Sequence, residues 1–286
     1  MTPAALALVL SSAIFHAGWN LLAKRAGGGV AFVWLGAVVG TVLYAPLALT
    51  QLAAGRETLD GLALAFVAGS GLIHAGYFVA LQRSYRDGDL SLVYPLARGL
   101  GPLLATAAAI ALLGERPTAL ALGGAALIVA AILSLAPSPR ALAASAVRRS
   151  TLYAVLTGVL IAAYTLWDKQ AVGVLGLAPI VYYWGAELSR TALLTPLVLV
   201  RSEAIGAVWR EHRREALGVG VLSPLSYLLV LYALSTSPVS YVAPAREVGI
   251  VLGALAGVTV LGEPDPKRRL GAAAAIVAGI ACLALG

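Results

Sequence analysis

The sequence predicts an all-α polytopic membrane protein, with ten transmembrane helices arranged as two inverted five-helix repeats. Three observations predict it. The 286 residues are 60% hydrophobic and only 12% charged, with a mean hydropathy of +0.90; a soluble domain carries roughly 25% charged residues to keep its surface wet. Apolar stretches able to cross ~30 Å of hydrocarbon recur ten times. The chain also repeats itself at an offset of 148 residues. This composition excludes a soluble domain, a disordered chain and a disulfide scaffold. The one cysteine, Cys282, lies in the last apolar stretch, so neither an intrachain disulfide nor a cysteine metal site is available. No metal and no cofactor are expected.

The first stretch, 3–22, follows Met1-Thr2-Pro3 with no basic region before it. It holds His16, Trp19 and Asn20 where a signal peptide would place a small-residue cleavage site, so it reads as a retained span. The others run over 30–52, 61–82, 90–113, 118–135, 151–170, 178–200, 216–236, 239–261 and 270–285. Gly, Pro and charged residues separate them. The longest connections, 136–150 and 201–215, leave no room for a soluble domain. Strands of a membrane β-barrel alternate polar and apolar residues, and these runs do not.

The repeat fixes the organisation. Tyr94-Pro95-Leu96-Ala97-Arg98-Gly99 answers to Val242-Ala243-Pro244-Ala245-Arg246-Glu247, and Gly114-Glu115 answers to Gly262-Glu263. The same shift carries Trp19 onto Trp167 and Asn20 onto Asp168. The division is therefore 1–135 for the first repeat, 136–150 for a linker and 151–286 for the second. Five spans per half turn the second half upside down, which is the construction of secondary transporters with a solute site near the midplane.

Charge placement agrees with inversion. Loops on the side opposite the N-terminus carry fourteen of the twenty basic residues, among them Arg148, Arg149, Arg213, Arg214, Lys267, Arg268 and Arg269. The N-terminal side has Arg56, Arg116 and, at a helix end, Lys169. The positive-inside rule then places the basic side in the cytoplasm and both termini outside. The net charge of +7 is thus a topology signal, and no nucleic-acid partner is expected.

The sequence resembles the EamA-type ten-helix branch of the drug/metabolite transporter superfamily. The residues that carry the resemblance are His16-Ala17-Gly18-Trp19-Asn20, the segment from Arg86 through Asp87-Gly88-Asp89-Leu90 to Tyr94-Pro95-Leu96-Ala97-Arg98, and the Gly114-Glu115 and Gly262-Glu263 turns, each before a Gly-rich closing helix. The resemblance covers essentially the whole chain. It implies a basket of two inverted five-helix repeats around a central cavity, with spans five and ten peripheral. It also implies a secondary transporter, an exporter or exchanger of a small polar organic solute such as an amino acid or related metabolite. Better-known relatives have cytoplasmic termini, whereas the charge count favours external ones. The expected location is the bacterial inner membrane, in contact with lipid.

Seven charged residues fall within spans: Arg98, Asp168, Lys169, Glu187, Arg190, Arg246 and Glu247. Each costs about 2.5–3.5 kcal/mol at a helix centre on the insertion scale, so each must face protein or a water-filled cavity. Arg98 and Arg246 enter from opposite faces to similar depth and make an anion-attracting pair, unless each locks helices by bonding carbonyls or a nearby acid. Tyr94 lies one turn before Arg98. Glu187 and Arg190, spaced i, i+3, pair on one helix face. Glu247, Asp168 and Glu187 are the candidate proton-coupling groups, and Lys169 reads as a solvated helix end. His16 shares a face with Trp19 and Asn20; His74, Tyr164, Trp167, Tyr183, Tyr227 and Tyr241 complete the candidate solute-binding set, though Trp19 and Trp167 also fit an aromatic belt. Gly69-Ser70-Gly71 and Gly123-Gly124 suit close helix packing.

No G-x-x-x-x-G-K-[ST] loop is present, so this chain supplies no ATP site of that kind. The competing classes are an intramembrane hydrolase, built on Ser70 and His74 four residues apart, and a non-transporting scaffold. Serine catalysis needs a base at the hydroxyl and an oxyanion hole, which placement on one helix does not provide.

Overall fold

Helix follows helix, because nearly every stretch is apolar and rich in Ala and Leu, and in lipid a helix satisfies its own backbone. The computed structural model describes residues 1–27, 29–55, 57–87, 90–135, 145–200, 202–252 and 266–286, and no strand occurs among them. The elements are α1 (Pro3–Arg25), α2 (Val30–Ala53), α3 (Gly61–Asp87), α4 (Leu90–Leu113), α5 (Ala119–Ser134), α6 (Ser145–Lys169), α7 (Pro179–Leu199), α8 (Ser202–Thr236), α9 (Val239–Ala245) and α10 (Pro266–Leu285). Gln170–Val174 extends α6 by one π-helical turn. Chain beyond α9 turns at 246–247 and is helical again over 248–252.

Among the described residues, seven helices are long and apolar enough to cross a membrane, within α1, α2, α3, α4, α6, α8 and α10. The remaining three expected spans depart for separate reasons. α5 has only 16 residues, or roughly 24 Å at 1.5 Å per residue. α7 carries Glu187 and Arg190 in its middle. α9 stops at Ala245. Outward leucines such as Leu112 and Leu152 are exposed, as lipid-facing side chains are.

Two boundaries differ from the sequence reading. The expected connection 201–215 is helical from Ser202, with one non-helical residue at His212 (φ −128°, ψ 27°). The expected linker 136–150 is helical from Ser145. Charge marks where a helix leaves the lipid; it does not end the helix, since Arg and Glu are good helix formers.

The helices pair across the two halves of the sequence. α1 packs on α8, α3 on α6, α2 on α7 and α8, α3 on α7, α4 on α6 and α9, and α5 on α10. Small residues set the closest approaches. A Cβ on Gly124 would lie 2.5 Å from the Gly279 carbonyl oxygen, and one on Gly279 would lie 2.7 Å from the Gly124 oxygen. Gly69 lies against the Trp167 ring and Gly71 against Ser189, whereas Gly123 has open space. Buried polar groups fasten the same pairs. Ser12 and Ser226 hydroxyls donate to each other's carbonyls at 2.8 and 3.0 Å, and Trp34 Nε1–H donates to Thr195 Oγ1 at 2.9 Å.

Glu115 explains one of the repeated turns. Gly114 has φ +67°, and after it the Glu115 carboxylate accepts from the backbone N–H groups of Val239 and Ser240 at 2.7 and 2.9 Å. An acid of the first half thereby caps α9 of the second. The matching Gly262-Glu263 turn lies outside the described residues, as does 136–144.

Candidate functional site

α9 breaks just past Pro244, and the two residues in the turn are Arg246 and Glu247. Proline withholds an N–H and crowds the preceding turn, and the chain resumes helix only from 248. Glu247 is buried, and its Oε2 accepts from Arg98 Nε at 2.8 Å. The pair joins α4 to the α9 break, with side-chain exposures of 11% for Arg98 and 4% for Glu247. Arg246 turns the other way, its guanidinium carbon 5.4 Å from the Tyr227 ring centroid. It makes no hydrogen bond or ion pair with another described residue. His16 of α1 lies close enough to feel the charges of both Arg98 and Arg246. Its ring meets Trp19 edge-on at 4.9 Å, and its carbonyl accepts from Asn20 at 2.7 Å.

A second constellation adjoins the first. Asp168, fully buried, accepts from Ser70 Oγ at 2.7 Å, from the Tyr182 hydroxyl at 2.6 Å and from the Tyr227 hydroxyl. Hydroxyls from α3, α7 and α8 thus converge on one carboxylate of α6. His74 stacks on Tyr164 with centroids 4.3 Å apart and meets Tyr227 edge-on at 5.4 Å. Tyr183 lies 6.1 Å from Tyr227. Tyr227 connects the two constellations: its hydroxyl serves Asp168 while its ring face receives Arg246.

The structure therefore gathers Arg98, Arg246, Glu247, His16, His74, Tyr164, Tyr183, Tyr227 and Asp168. Other candidates fall elsewhere. Tyr241 contacts Thr118 and the Gly286 carbonyl, at the far ends of α5 and α10. Trp167 donates to the Phe66 carbonyl at 2.8 Å and packs on Phe66, so it fastens α6 to α3. Trp19 joins a small apolar cluster with Ala26, Phe32, Leu35, Ala216 and Val219, and Asn20 is exposed. The side chain of Tyr94 lies outside the described residues. Glu187 and Arg190, by contrast, form the expected ion pair at 2.5 Å beside the gathered cluster, near Tyr183 and His74, with Arg190 6.0 Å over Phe78.

Lys169 differs from the reading as a solvated end. Its Nζ donates to the carbonyls of Leu234 and Ser237 at 2.7 and 3.0 Å, satisfying the C-terminal end of α8. Sequence reasoning missed Tyr182, adjacent to a tyrosine it did select. Only packing tells which of the two faces Asp168. It also gave Ser70 no part in holding Asp168.

Three comparisons bear on this arrangement. Residues 148–285 match the EamA-like transporter family, a stretch that holds Asp168, Tyr227, Arg246 and Glu247. No curated protein matches the chain. A solved structure, described only as "Crystal structure of protein", superposes with a TM-score of 0.74 over 98% of this chain and 97% of its own, at 19% identity. That likeness concerns the fold.

Proposed function

Because the chain is an integral membrane protein carrying an EamA-like transporter domain over residues 148–285, we propose that it moves a small polar organic solute bearing an anionic group. An amino acid or related metabolite suits it, carried out or exchanged by alternating access between two inverted repeats, 1–135 and 151–286. One observation carries the reading. Two arginines related by the 148-residue repeat converge with one acid at a break in α9, beside a cluster of aromatic rings. Irregular backbone is tolerated at membrane depth where it lines a cavity or is buried in protein, and broken helices form the solute sites of many secondary transporters. Guanidinium groups suit carboxylate or phosphate.

The helix pairings support the repeat: α1 on α8 has its counterpart in α3 on α6, and α2 on α8 in α3 on α7. These two contacts recur when the halves are exchanged. The basic loops support cytoplasmic placement of 148–149 and 213–214 and external termini, and the location that goes with this reading is a bacterial inner membrane. Glu247, Asp168 and Glu187 are the acids available for proton coupling. Ser70 and His74 do not favour a hydrolase. Ser70 Oγ donates to Asp168, and His74 Nδ1 is 2.9 Å from the Ser70 carbonyl, a contact that needs Nδ1–H. With its Nδ1–H directed at that carbonyl, His74 is not placed to take the proton of the Ser70 hydroxyl, 3.3 Å away.

The test is a thermal-shift screen of anionic, zwitterionic and neutral metabolites on purified protein, then uptake of each stabilising solute by proteoliposomes. Counterflow of an anionic or zwitterionic solute, chemically unchanged, is the expected result. Stabilisation by neutral solutes alone would turn the reading away from the arginines.

A further inference from the structure

The acid of this cluster belongs to one repeat only. The 148-residue shift carries Arg98 onto Arg246 but Gly99 onto Glu247, so two guanidiniums share a single carboxylate. That carboxylate bonds Arg98, the arginine of the other half, across 2.8 Å. Arg246 is left with the face of Tyr227. A half-buried guanidinium whose described company is an aromatic face keeps its N–H donors available to a ligand.

We propose that Glu247 is a built-in substitute for the solute's anionic group, holding Arg98 until Glu247 takes up a proton and a monoanionic solute replaces it between Arg98 and Arg246. The inference rests on the transporter reading above and names its substrate class: a monoanion, taken together with one proton. In the step, a proton from water binds Glu247 Oε2, the ion pair opens, and the solute's oxygens accept the freed N–H of Arg98 and those of Arg246. The charge balance is the same in both states, two guanidiniums against one anion. Crossing the low-dielectric interior with an extra unpaired charge is thereby avoided. A flat solute is the natural probe, because the ring beside Arg246, Tyr227, belongs to an aromatic cluster with Tyr164 and His74.

The charged and titratable groups around Glu247 are Arg98 on α4, Arg246 beside it, His16 on α1, Tyr164 on α6 and Tyr227 on α8. His16 is the other ionisable side chain close to the two arginines, so it is kept in every variant. The probe is benzoate, a flat monocarboxylate, with benzamide as its uncharged counterpart. Both are measured by calorimetry on purified protein in lipid nanodiscs.

Where only the Glu247-protonated form accepts the anion, apparent affinity falls with the protonated fraction, up to about tenfold per pH unit between about pH 5.5 and pH 8. Wild-type protein is expected to show that slope for benzoate and none for benzamide. Glu247→Gln is expected to bind benzoate more tightly than wild type at the upper pH, with at most the slope His16 supplies. Arg246→Gln keeps the Arg98–Glu247 pair and is expected to lose benzoate at every pH, so the proposal stays testable even if Glu247→Gln misfolds. A flat wild-type profile, a Glu247→Gln variant no tighter than wild type, or equal binding of benzoate and benzamide overturns it. Flux separates this from the transporter reading. A protein that moves a solute but binds benzoate without a pH slope loses the Glu247 exchange and keeps transport; one with the slope and no flux does the reverse.

Discussion

Arg246 lies over the ring of Tyr227, 5.4 Å from guanidinium carbon to centroid, and the same tyrosine donates its hydroxyl to Asp168. One aromatic side chain of α8 thus links a cation on the α9 break to an acid on α6. A shift of α8 against α6 would disturb the contact with Asp168, and a shift against the α9 break the contact with Arg246.

Arg98→Gln is expected to destabilise the protein by about 3–5 kcal/mol, because it leaves the buried Glu247 carboxylate without its partner. Adding Glu247→Gln should recover most of the loss without restoring Arg98's part in solute binding. Thermal unfolding of the two variants and of wild type checks this. A single variant as stable as wild type would remove the ion pair from the account.

Asp168→Asn presents one amide oxygen to three hydroxyl donors, and orphaning a buried donor costs about 1–3 kcal/mol. Unfolding midpoints in urea measure that loss. In proteoliposomes, the Asp168→Asn, Glu247→Gln double variant should lose flux driven by a pH gradient while retaining exchange. Full gradient-driven flux would show that neither acid couples transport to protons.

Gly124→Ala and Gly279→Ala each place a methyl against a backbone carbonyl of the facing helix, a contact that only movement of α5 or α10 relieves. Each should lower stability by about 1–3 kcal/mol. Gly123→Ala faces open space and should cost nothing measurable. Equal melting temperatures for all three would mean that the α5–α10 pair is packed more loosely than described.

A reporter fused after Gly286 should behave as periplasmic, and cysteines placed at 148–149 or 213–214 should react only from the cytoplasmic face, as the positive-inside rule requires. The opposite labelling pattern would reverse the orientation and leave the fold unchanged.

How much of this was legible in the sequence follows from what each signal measures. Among the described residues, hydropathy located the long helices, since lipid leaves the backbone few choices, yet it read 239–261 as one span where α9 stops at Ala245, and charge in 202–215 masked a helix continuing out of the membrane. The repeat related Arg98 to Arg246 because an offset survives in sequence. It did not reveal that Glu247 would cross to Arg98, since that depends on where the α9 break aims a side chain. Asp168 was visible as an intramembrane acid, whereas its three hydroxyl donors come from three other helices, 14, 59 and 98 residues away in the chain. Lys169 looked solvated beside a helix end, but that end lies against α8, whose carbonyls it satisfies.

The central claim, that an anionic solute is held by the arginine on the α9 break, is tested most directly with Arg246→Gln, reading melting temperature and solute binding on the same purified sample. The solute is the best stabiliser from the metabolite screen. Losing the stacking on Tyr227 should cost stability about 1–2 kcal/mol, leaving a folded, monodisperse protein. Losing a charged hydrogen-bond donor to the solute should cost about 1.5–3 kcal/mol of binding, a roughly ten- to 150-fold weaker Kd. Unchanged solute affinity in a protein whose melting temperature has collapsed would contradict the account and make Arg246 a structural residue.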